Sequence, residues 1–237
     1  MQRISEMDSH TFAEAIASDP IVVLPVGALE AHGPHLPLSA DQIQAEVTAR
    51  ALGTRWEALL APSLPYGVCR GAAGLPGTVS LDASTLAATA RGLLTSLGAS
   101  GARRVLVLSG HAERPHLAAL REGCEAAMTE RPGLKARVLS DYEFVYELRG
   151  REAPEDDGHA GLLETSRLLA LAPELVGPER PVGRRRSPTE GPGNLADAEG
   201  ALGVVGDTRP ASAALGHRVQ EHVLARLDEV RATLFGR

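Results

Sequence analysis

Two short apolar runs place the strongest constraint on the fold of this chain. Residues 21–26 read Ile-Val-Val-Leu-Pro-Val, and residues 103–108 end in four consecutive apolar side chains. Runs of this length are typical of strands in a parallel sheet that helices cover on both faces. Amphipathic helices are predicted at about 41–52, 83–98, 115–130 and 211–233. The pattern therefore predicts an α/β fold, a three-layer αβα sandwich with a mostly parallel sheet.

Further elements follow from local signals. Short strands are expected at about 59–61 and 135–140, and a helix is expected to begin at His159 and to end at Pro173. The stretch 62–78 is rich in Pro and Gly, and a loop this long in a compact domain is often functional. No repeat or change of composition divides the 237 residues, so we expect a single domain over 1–237.

Charge, hydropathy and cysteine content argue against nucleic-acid and membrane partners and indicate the compartment. The formal net charge of -6 argues against nucleic acid. No apolar run approaches membrane-spanning length, and the N-terminus lacks the order of a signal peptide. The two cysteines, Cys69 and Cys124, make no disulfide framework. We expect a cytoplasmic protein in which Cys124 lies on the buried face of the helix at 115–130 and packs in the core.

Candidate metal ligands follow both apolar runs. Carboxylates and imidazoles suit a hard-to-borderline divalent cation, and the carboxyl ends of parallel strands lie at one edge of a sheet. A polar connection, with Asp41 as an ordinary N-terminal helix residue, is the alternative that the first stretch alone leaves open. The candidates are Glu30, His32, Asp41, His111 and Glu113.

These motifs resemble one protein family. Glu30-Ala-His-Gly-Pro-His-Leu-Pro37 followed by Asp41, together with the pattern His-x-Gly-x-x-Glu-Thr-Ser over 159–166, is similar to the creatininase family of metal-dependent amidohydrolases. The resemblance implies a creatininase-like fold, a symmetric homo-oligomer that is often a hexamer, and two divalent cations. Zn²⁺, Mn²⁺ or Fe²⁺ would suit the mixed oxygen and nitrogen ligands.

The resemblance also implies a role for each residue. It assigns one metal to Glu30, Asp41 and His111. It assigns the other to His32, Asp41 and Glu113, so that Asp41 is shared, as in two-metal hydrolases. His159 corresponds to a histidine that transfers protons. Glu164 corresponds to the glutamate of the His-x-Gly-x-x-Glu motif, and we expect it inside a helix near the metals.

The remaining histidines receive lesser roles. His35 is predicted to orient a ligand through a hydrogen bond, with a simple loop cap as the alternative. His116 is predicted to be a surface residue on the helix after the second ligand loop. The same prediction applies to His10, His217 and His222.

Three functions remain open at this level. The first is hydrolysis of a C–N bond in a small, cyclic or non-peptide amide by water that a metal activates. The second is a peptidase that trims a short or modified peptide, as in the mycofactocin-precursor branch, which residues 203–207 also resemble. The third is a metal-binding protein without catalysis. Creatinine itself is disfavoured, because creatininase encloses creatinine with tryptophans and the single tryptophan here, Trp56, lies outside the motif loops.

Overall fold

The computed structural model describes residues 2–183, 195 and 203–236. The described strands form one parallel sheet in the order β1-β3-β2-β4-β5. They are β1 (Gln2–Arg3), β2 (Ile21–Val26), β3 (Leu59–Leu60), β4 (Arg104–Ser109) and β5 (Lys135–Ser140). The predicted strands are confirmed, and β1 is an additional edge strand that the sequence did not indicate.

Seven α-helices occur within the described residues. They are α1 (Ser9–Ala17), α2 (Ala40–Arg55), α3 (Ala83–Ala99), α4 (Arg114–Glu130), α5 (Tyr142–Val145), α6 (Leu162–Leu171) and α7 (Ala213–Leu234). Short 3-10 turns lie at Ile4–Glu6, Tyr146–Leu148 and Pro173–Leu175.

Strand β4 shows why the fold has three layers. Val105 and Val107 pack in the apolar cluster that contains side chains of α3 and α4. Leu106 and Leu108 point to the opposite cluster, formed with α2 and α7. Successive strand side chains alternate between faces, so a continuous apolar run serves two cores at once. The predicted αβα sandwich is confirmed.

The carboxyl ends of β2 and β4 determine where the motif loops meet. The two strands pair in register from Ile21 opposite Arg104 to Val26 opposite Ser109. The amide of Gly110 continues the pairing by donating to the carbonyl of Val26 at 2.9 Å. The loops after β2 and β4 therefore leave the sheet side by side.

Helix α6 begins later than predicted. The helix expected from His159 starts at Leu162, because Ala160 has a left-handed φ of 50° that no helix accommodates. Asp157 accepts hydrogen bonds from the amides of Leu162 at 2.6 Å and Leu163 at 3.1 Å, which satisfies two of the four free donors of the first turn. His159 consequently lies in the loop before the helix.

Several expectations lie partly outside the described residues. The Gly-, Pro- and Arg-rich stretch at 177–194, which its composition predicts to be an extended excursion from the domain, lies mostly outside the described residues, as do its arginines at 184–186. The single-domain assignment stays a prediction. Helix α7 begins at Ala213 with Ser212 as its cap, two residues after the predicted start. Among the described residues, no helix combines the length and apolar character that a membrane crossing requires.

Candidate metal centre

Four of the predicted ligands converge at the carboxyl edge of the sheet. Glu30 and His32 lie in the loop after β2, Asp41 lies in the first turn of α2, and His111 follows β4. Each is at most 6% exposed to solvent. Charged and polar groups are rarely buried this completely unless they are paired or bind a metal.

His111 faces two carboxylates with one ring nitrogen. Its Nδ1 lies 2.9 Å from Oδ2 of Asp41 and 3.1 Å from Oε2 of Glu30. Its Nε2 lies 3.0 Å from the carbonyl oxygen of Val68, and this bond makes Nε2 the protonated nitrogen. Histidines that bind metals commonly donate their second ring N–H to such a carbonyl, which leaves the first nitrogen free for the cation.

In His32 the two ring nitrogens exchange the roles that they have in His111. Nδ1 of His32 lies 2.9 Å from the carbonyl oxygen of Glu30. Its Nε2 faces Oδ1 of Asp41 at 3.3 Å and Oε1 of Glu164 at 3.4 Å. Asp41 therefore directs one carboxylate oxygen to each histidine, which is the geometry expected of a carboxylate that bridges two cations.

Glu164 is fixed from several sides in the first turn of α6. Its Oε2 accepts from the amide of Ala160 at 2.7 Å, and its Oε1 accepts from Nε2 of Gln44 at 2.9 Å. Gln44 in turn accepts from Nη1 of the buried Arg167 at 3.2 Å and from the Tyr142 hydroxyl at 3.0 Å. The expectation that Glu164 lies near the other candidate ligands agrees with this geometry.

Glu113 lies on the outer side of His111 and anchors a neighbouring loop. Its two oxygens accept from the amides of Arg70 at 2.7 Å and Gly71 at 3.1 Å. It approaches His111 at Nε2, 3.5 Å away, on the side of the ring opposite to Asp41. The structure thus groups His32 with Asp41 and Glu164, and it does not bring Glu113 to His32.

His159 lies against the cluster, and a ligand atom of each of Glu30, His32 and His159 lies within 4.8 Å of the other two. Its ring centroid is 4.2 Å from that of His32, and its Nε2 lies 2.8 Å from the carbonyl oxygen of Ala31. The main chain of Val205 holds the loop by donating to the His159 carbonyl at 2.8 Å. The half-buried ring is therefore available from the solvent side.

His35 and His116 are both buried. His35 Nε2 lies 2.8 Å from Oγ1 of Thr165, the residue after Glu164, so its contact with the site is indirect. Burial lowers the pKa of His35 to about 4, and Arg180 adds to this shift. The surface prediction for His116 is wrong: its Nδ1 accepts from the amide of Val68 at 3.2 Å, and burial holds its pKa well below the ordinary value. His10 and His217 are exposed as predicted, and His222 is partly buried.

Cys69 is a residue of the site that sequence reasoning missed. A ligand atom from each of Glu30, Cys69 and His111 lies within 4.8 Å of the other two. The thiol is fully buried, and burial raises its pKa to about 12. The one available signal was its place in the Pro- and Gly-rich loop at 62–78.

The charges of the cluster compensate one another. Burial by itself would raise the pKa values of Glu30 and Asp41, but the neighbouring imidazoles outweigh burial and lower both. Burial would likewise lower the pKa values of His32 and His111, but the facing carboxylates raise both well above the ordinary value. Such shifts are common at functional sites.

Unsatisfied atoms at the centre of the cluster fit bound cations. Oε2 of Glu30, Nε2 of His32 and Oδ2 of Asp41 are buried and make no hydrogen bond. Buried polar atoms without partners are uncommon and costly in a native protein. Two divalent cations would satisfy all three, and the oxygen and nitrogen donors suit Zn²⁺ or Mn²⁺.

The fold and this cluster define the class of an α/β protein with a candidate divalent-metal centre at the carboxyl edge of its parallel sheet. A family model described as Creatininase: Creatinine amidohydrolase matches residues 5–230. The chain belongs to the creatininase family, which supports a hydrolase that acts on C–N bonds and binds divalent metals.

Individual relatives agree with this membership. The chain is 35% identical over 187 residues to creatinine amidohydrolase from Pseudomonas putida, covering 72% of this chain and 71% of that protein. It is 31% identical over 242 aligned positions to the mycofactocin precursor peptide peptidase of Mycobacterium tuberculosis, covering 91% and 86%. A crystal structure of creatinine amidohydrolase superposes with a TM-score of 0.86 at 27% identity, covering 99% and 98%. Related creatininase structures are described as Mn and as Zn-Zn type.

Proposed function

We propose that this protein is a dinuclear metal-dependent amidohydrolase that cleaves a C–N amide bond in a small, non-peptide or cyclic substrate. The observation that carries the proposal is the position of Asp41, whose two oxygens face the free nitrogens of His32 and His111 at 3.3 and 2.9 Å. A shared carboxylate between two imidazoles suits a pair of cations about 3.5–4 Å apart.

The two cation positions have separate ligands around this bridge. Glu30, Asp41 and His111 would hold the first cation. His32, Asp41 and Glu164 would hold the second, with Glu164 taking the place that the family resemblance gave to Glu113. When bound, the cations would polarise the substrate carbonyl and lower the pKa of a water molecule to about 7.

His159 is proposed to move the proton that the reaction requires. Its Nε2 donates to the Ala31 carbonyl at 2.8 Å, which leaves Nδ1 as the ring nitrogen that would exchange a proton with substrate. Contact with the His32 ring keeps it beside the cations, and its partial exposure leaves it accessible to substrate. From this place it can give a proton to the departing nitrogen.

A peptidase is the second candidate. The alignment with the mycofactocin precursor peptide peptidase covers 91% of the chain, whereas that with the Pseudomonas putida creatinine amidohydrolase covers 72%. Trp56 donates to Asp228 of α7 at 2.6 Å, at the end of α2 opposite to Asp41, so it covers no part of the candidate site. The coverage keeps the peptidase open, and the position of Trp56 makes creatinine a poor candidate substrate.

A substrate screen distinguishes these functions. The purified protein, loaded with Zn²⁺ or Mn²⁺, would be incubated with cyclic ureas, lactams, formamides and short peptides, and amine release would be measured. We expect turnover of a small amide that stops when a chelator removes the metal and returns when metal is added. Turnover of peptides alone would favour the peptidase. Stoichiometric metal binding with no turnover across all four groups would favour a non-catalytic metal-binding protein.

We also propose a homo-oligomer in a reducing compartment such as the cytoplasm. The free thiols of Cys69 and Cys124 are both buried, which agrees with reducing conditions without requiring them. Family membership is the basis for the oligomer, and a hexamer is the assembly we expect. Light scattering of the purified protein at micromolar concentration tests it, and a monomer there would contradict it.

A further inference from the structure

We propose that the Cys69 thiolate is an additional ligand of the first cation and that it makes this position prefer Zn²⁺ over Mn²⁺. The inference rests on the metal centre proposed above and identifies a ligand that the family motifs do not contain. The evidence is the position of the sulfur, the unsatisfied atoms beside it and the way its loop is held.

The position of the sulfur is the first argument. Ligand atoms of Glu30, Cys69 and His111 lie within 4.8 Å of one another, so one cation can contact all three after small side-chain adjustments. The thiol is fully buried on this side of the cluster. The other cysteine, Cys124, lies in the apolar core between α3 and α4 and faces no candidate ligand.

Unsatisfied carboxylate atoms provide an independent argument. Oε2 of Glu30 and Oδ2 of Asp41 belong to residues that are 2% and 3% exposed, and neither atom makes a hydrogen bond. Both lie near Nδ1 of His111, at 3.1 and 2.9 Å. These unsatisfied atoms indicate a cation position independently of Cys69. Cys69 approaches the same position from the loop at 62–78.

The loop that carries Cys69 is held by consecutive side-chain hydrogen bonds. The amide of Val68 donates to His116, and the amide of Cys69 donates to Oγ of Ser80 at 2.9 Å. The next two amides, of Arg70 and Gly71, donate to Glu113. Four successive amides are therefore anchored, and the sulfur is kept at the cluster without a large entropic cost on binding.

His111 connects the same loop to the metal ligands. Its Nε2 donates to the Val68 carbonyl, one residue before Cys69, while its Nδ1 faces the cation position. Glu113 thus anchors the loop in this structure. The Cys69 sulfur, and not the Glu113 carboxylate, lies beside Glu30 and His111 at the first cation position.

Ligand chemistry gives the consequence for metal choice. Thiolates are soft ligands that favour Zn²⁺, whereas carboxylates and water suit Mn²⁺. The thiol would release its proton to solvent as the cation binds, since a coordinating thiol is deprotonated. No oxidation or group transfer takes place in this step.

Cobalt substitution tests the ligand directly. Metal-free wild-type protein would be titrated with Co²⁺, and a thiolate-to-cobalt charge-transfer band in the near ultraviolet is expected. Cys124→Ser should keep this band and Cys69→Ser should lose it. Because the chain has two cysteines, a band in Cys124→Ser assigns the ligand to Cys69 even where Cys69→Ser does not fold.

Calorimetry tests the selectivity. The Kd for Zn²⁺ should rise in Cys69→Ser by more than about tenfold, since even changes outside the ligand set cost about 10–100-fold in metal affinity. The Kd for Mn²⁺ should change far less. Cobalt binding without a charge-transfer band, a band that survives in Cys69→Ser, or equal losses for both metals would overturn the inference and leave the metal centre standing. Failure to bind any of the three metals would instead refute the proposed centre.

Discussion

The imidazole rings of His32 and His159 lie in contact, with centroids 4.2 Å apart and planes tilted by 36°. The loop after β2 contributes the first ring and the loop before α6 contributes the second. Nε2 of His32 faces Asp41 and Glu164, while Nε2 of His159 is held by the Ala31 carbonyl. In the function proposed above, the first ring would bind a cation and the second would act on the substrate beside it.

Substitutions of Asp41 and His159 should separate metal binding from catalysis. Asp41→Ala removes the shared carboxylate, so metal content should fall from roughly two per chain towards zero. His159→Ala should keep its metal and lose about 10²–10⁴-fold in turnover, the usual contribution of a general acid or base. Elemental analysis and turnover on both variants provide the measurement. Loss of metal from His159→Ala would make the histidine a ligand.

Glu164 should hold the second cation and not the first. Glu164→Ala removes the carboxylate that faces His32 at 3.4 Å and leaves the ligands around His111 in place. We expect metal content to fall from roughly two per chain to roughly one. The exposed Glu143→Ala is the matched control and should bind both metals. Full metal content in Glu164→Ala would exclude Glu164 from the ligand set.

Gly110 should be irreplaceable for steric reasons. A Cβ at this position would lie 2.0 Å from the carbonyl oxygen of Asp41, and that contact is with backbone that cannot rotate away. Gly110→Ala should therefore cost about 1–3 kcal/mol in unfolding free energy and weaken metal binding. Gly92 in α3 has open space around it, so Gly92→Ala should add about 0.5–1 kcal/mol instead. Urea unfolding of metal-free protein measures both, and equal effects would contradict the close approach.

The buried ion pair behind Glu164 should be sensitive to loss of one partner. Nη2 of Arg167 donates to Oδ2 of Asp141 at 2.7 Å, and both side chains are fully buried. Asp141→Ala leaves an uncompensated guanidinium and should cost about 3–5 kcal/mol. The double variant Asp141→Leu/Arg167→Met should recover part of this loss in urea unfolding. If the double variant is less stable than Asp141→Ala, then side-chain packing, and not the unpaired charge, determines the loss of unfolding free energy.

His35 should make stability dependent on pH in the acidic range. Its pKa falls from 6.5 to about 4 on folding, so the unfolded chain binds the extra proton between these values. Stability contributed by neutral His35 is thus present above about pH 6.5 and is lost as the pH falls towards about 4. His35→Gln keeps an amide that can donate to Thr165 and should reduce this loss by on the order of 1–3 kcal/mol. The measurement is urea unfolding, from pH 7 to pH 4, of wild type and His35→Gln from which a chelator has removed metal. Parallel pH profiles of the two proteins would contradict the lowered pKa of His35.

The sequence by itself determined the sheet and the position of the candidate metal site along the chain. The apolar runs at 21–26 and 105–108 had to be buried on both faces, because every one of their side chains is apolar and alternate side chains point to opposite sides. Parallel strands end at a common edge, so Glu30, His32 and His111 had to meet there. These conclusions depend on periodicity and topology, which are readable without coordinates.

Only the tertiary structure decided which partners each side chain has within the site. Glu164 joins His32 because α6 starts at Leu162 and a left-handed Ala160 turns the chain before it. Glu113 anchors the amides of Arg70 and Gly71, and the same loop brings Cys69 to the cluster. These contacts join segments far apart in the sequence, and their distances depend on backbone direction and packing that no local pattern encodes.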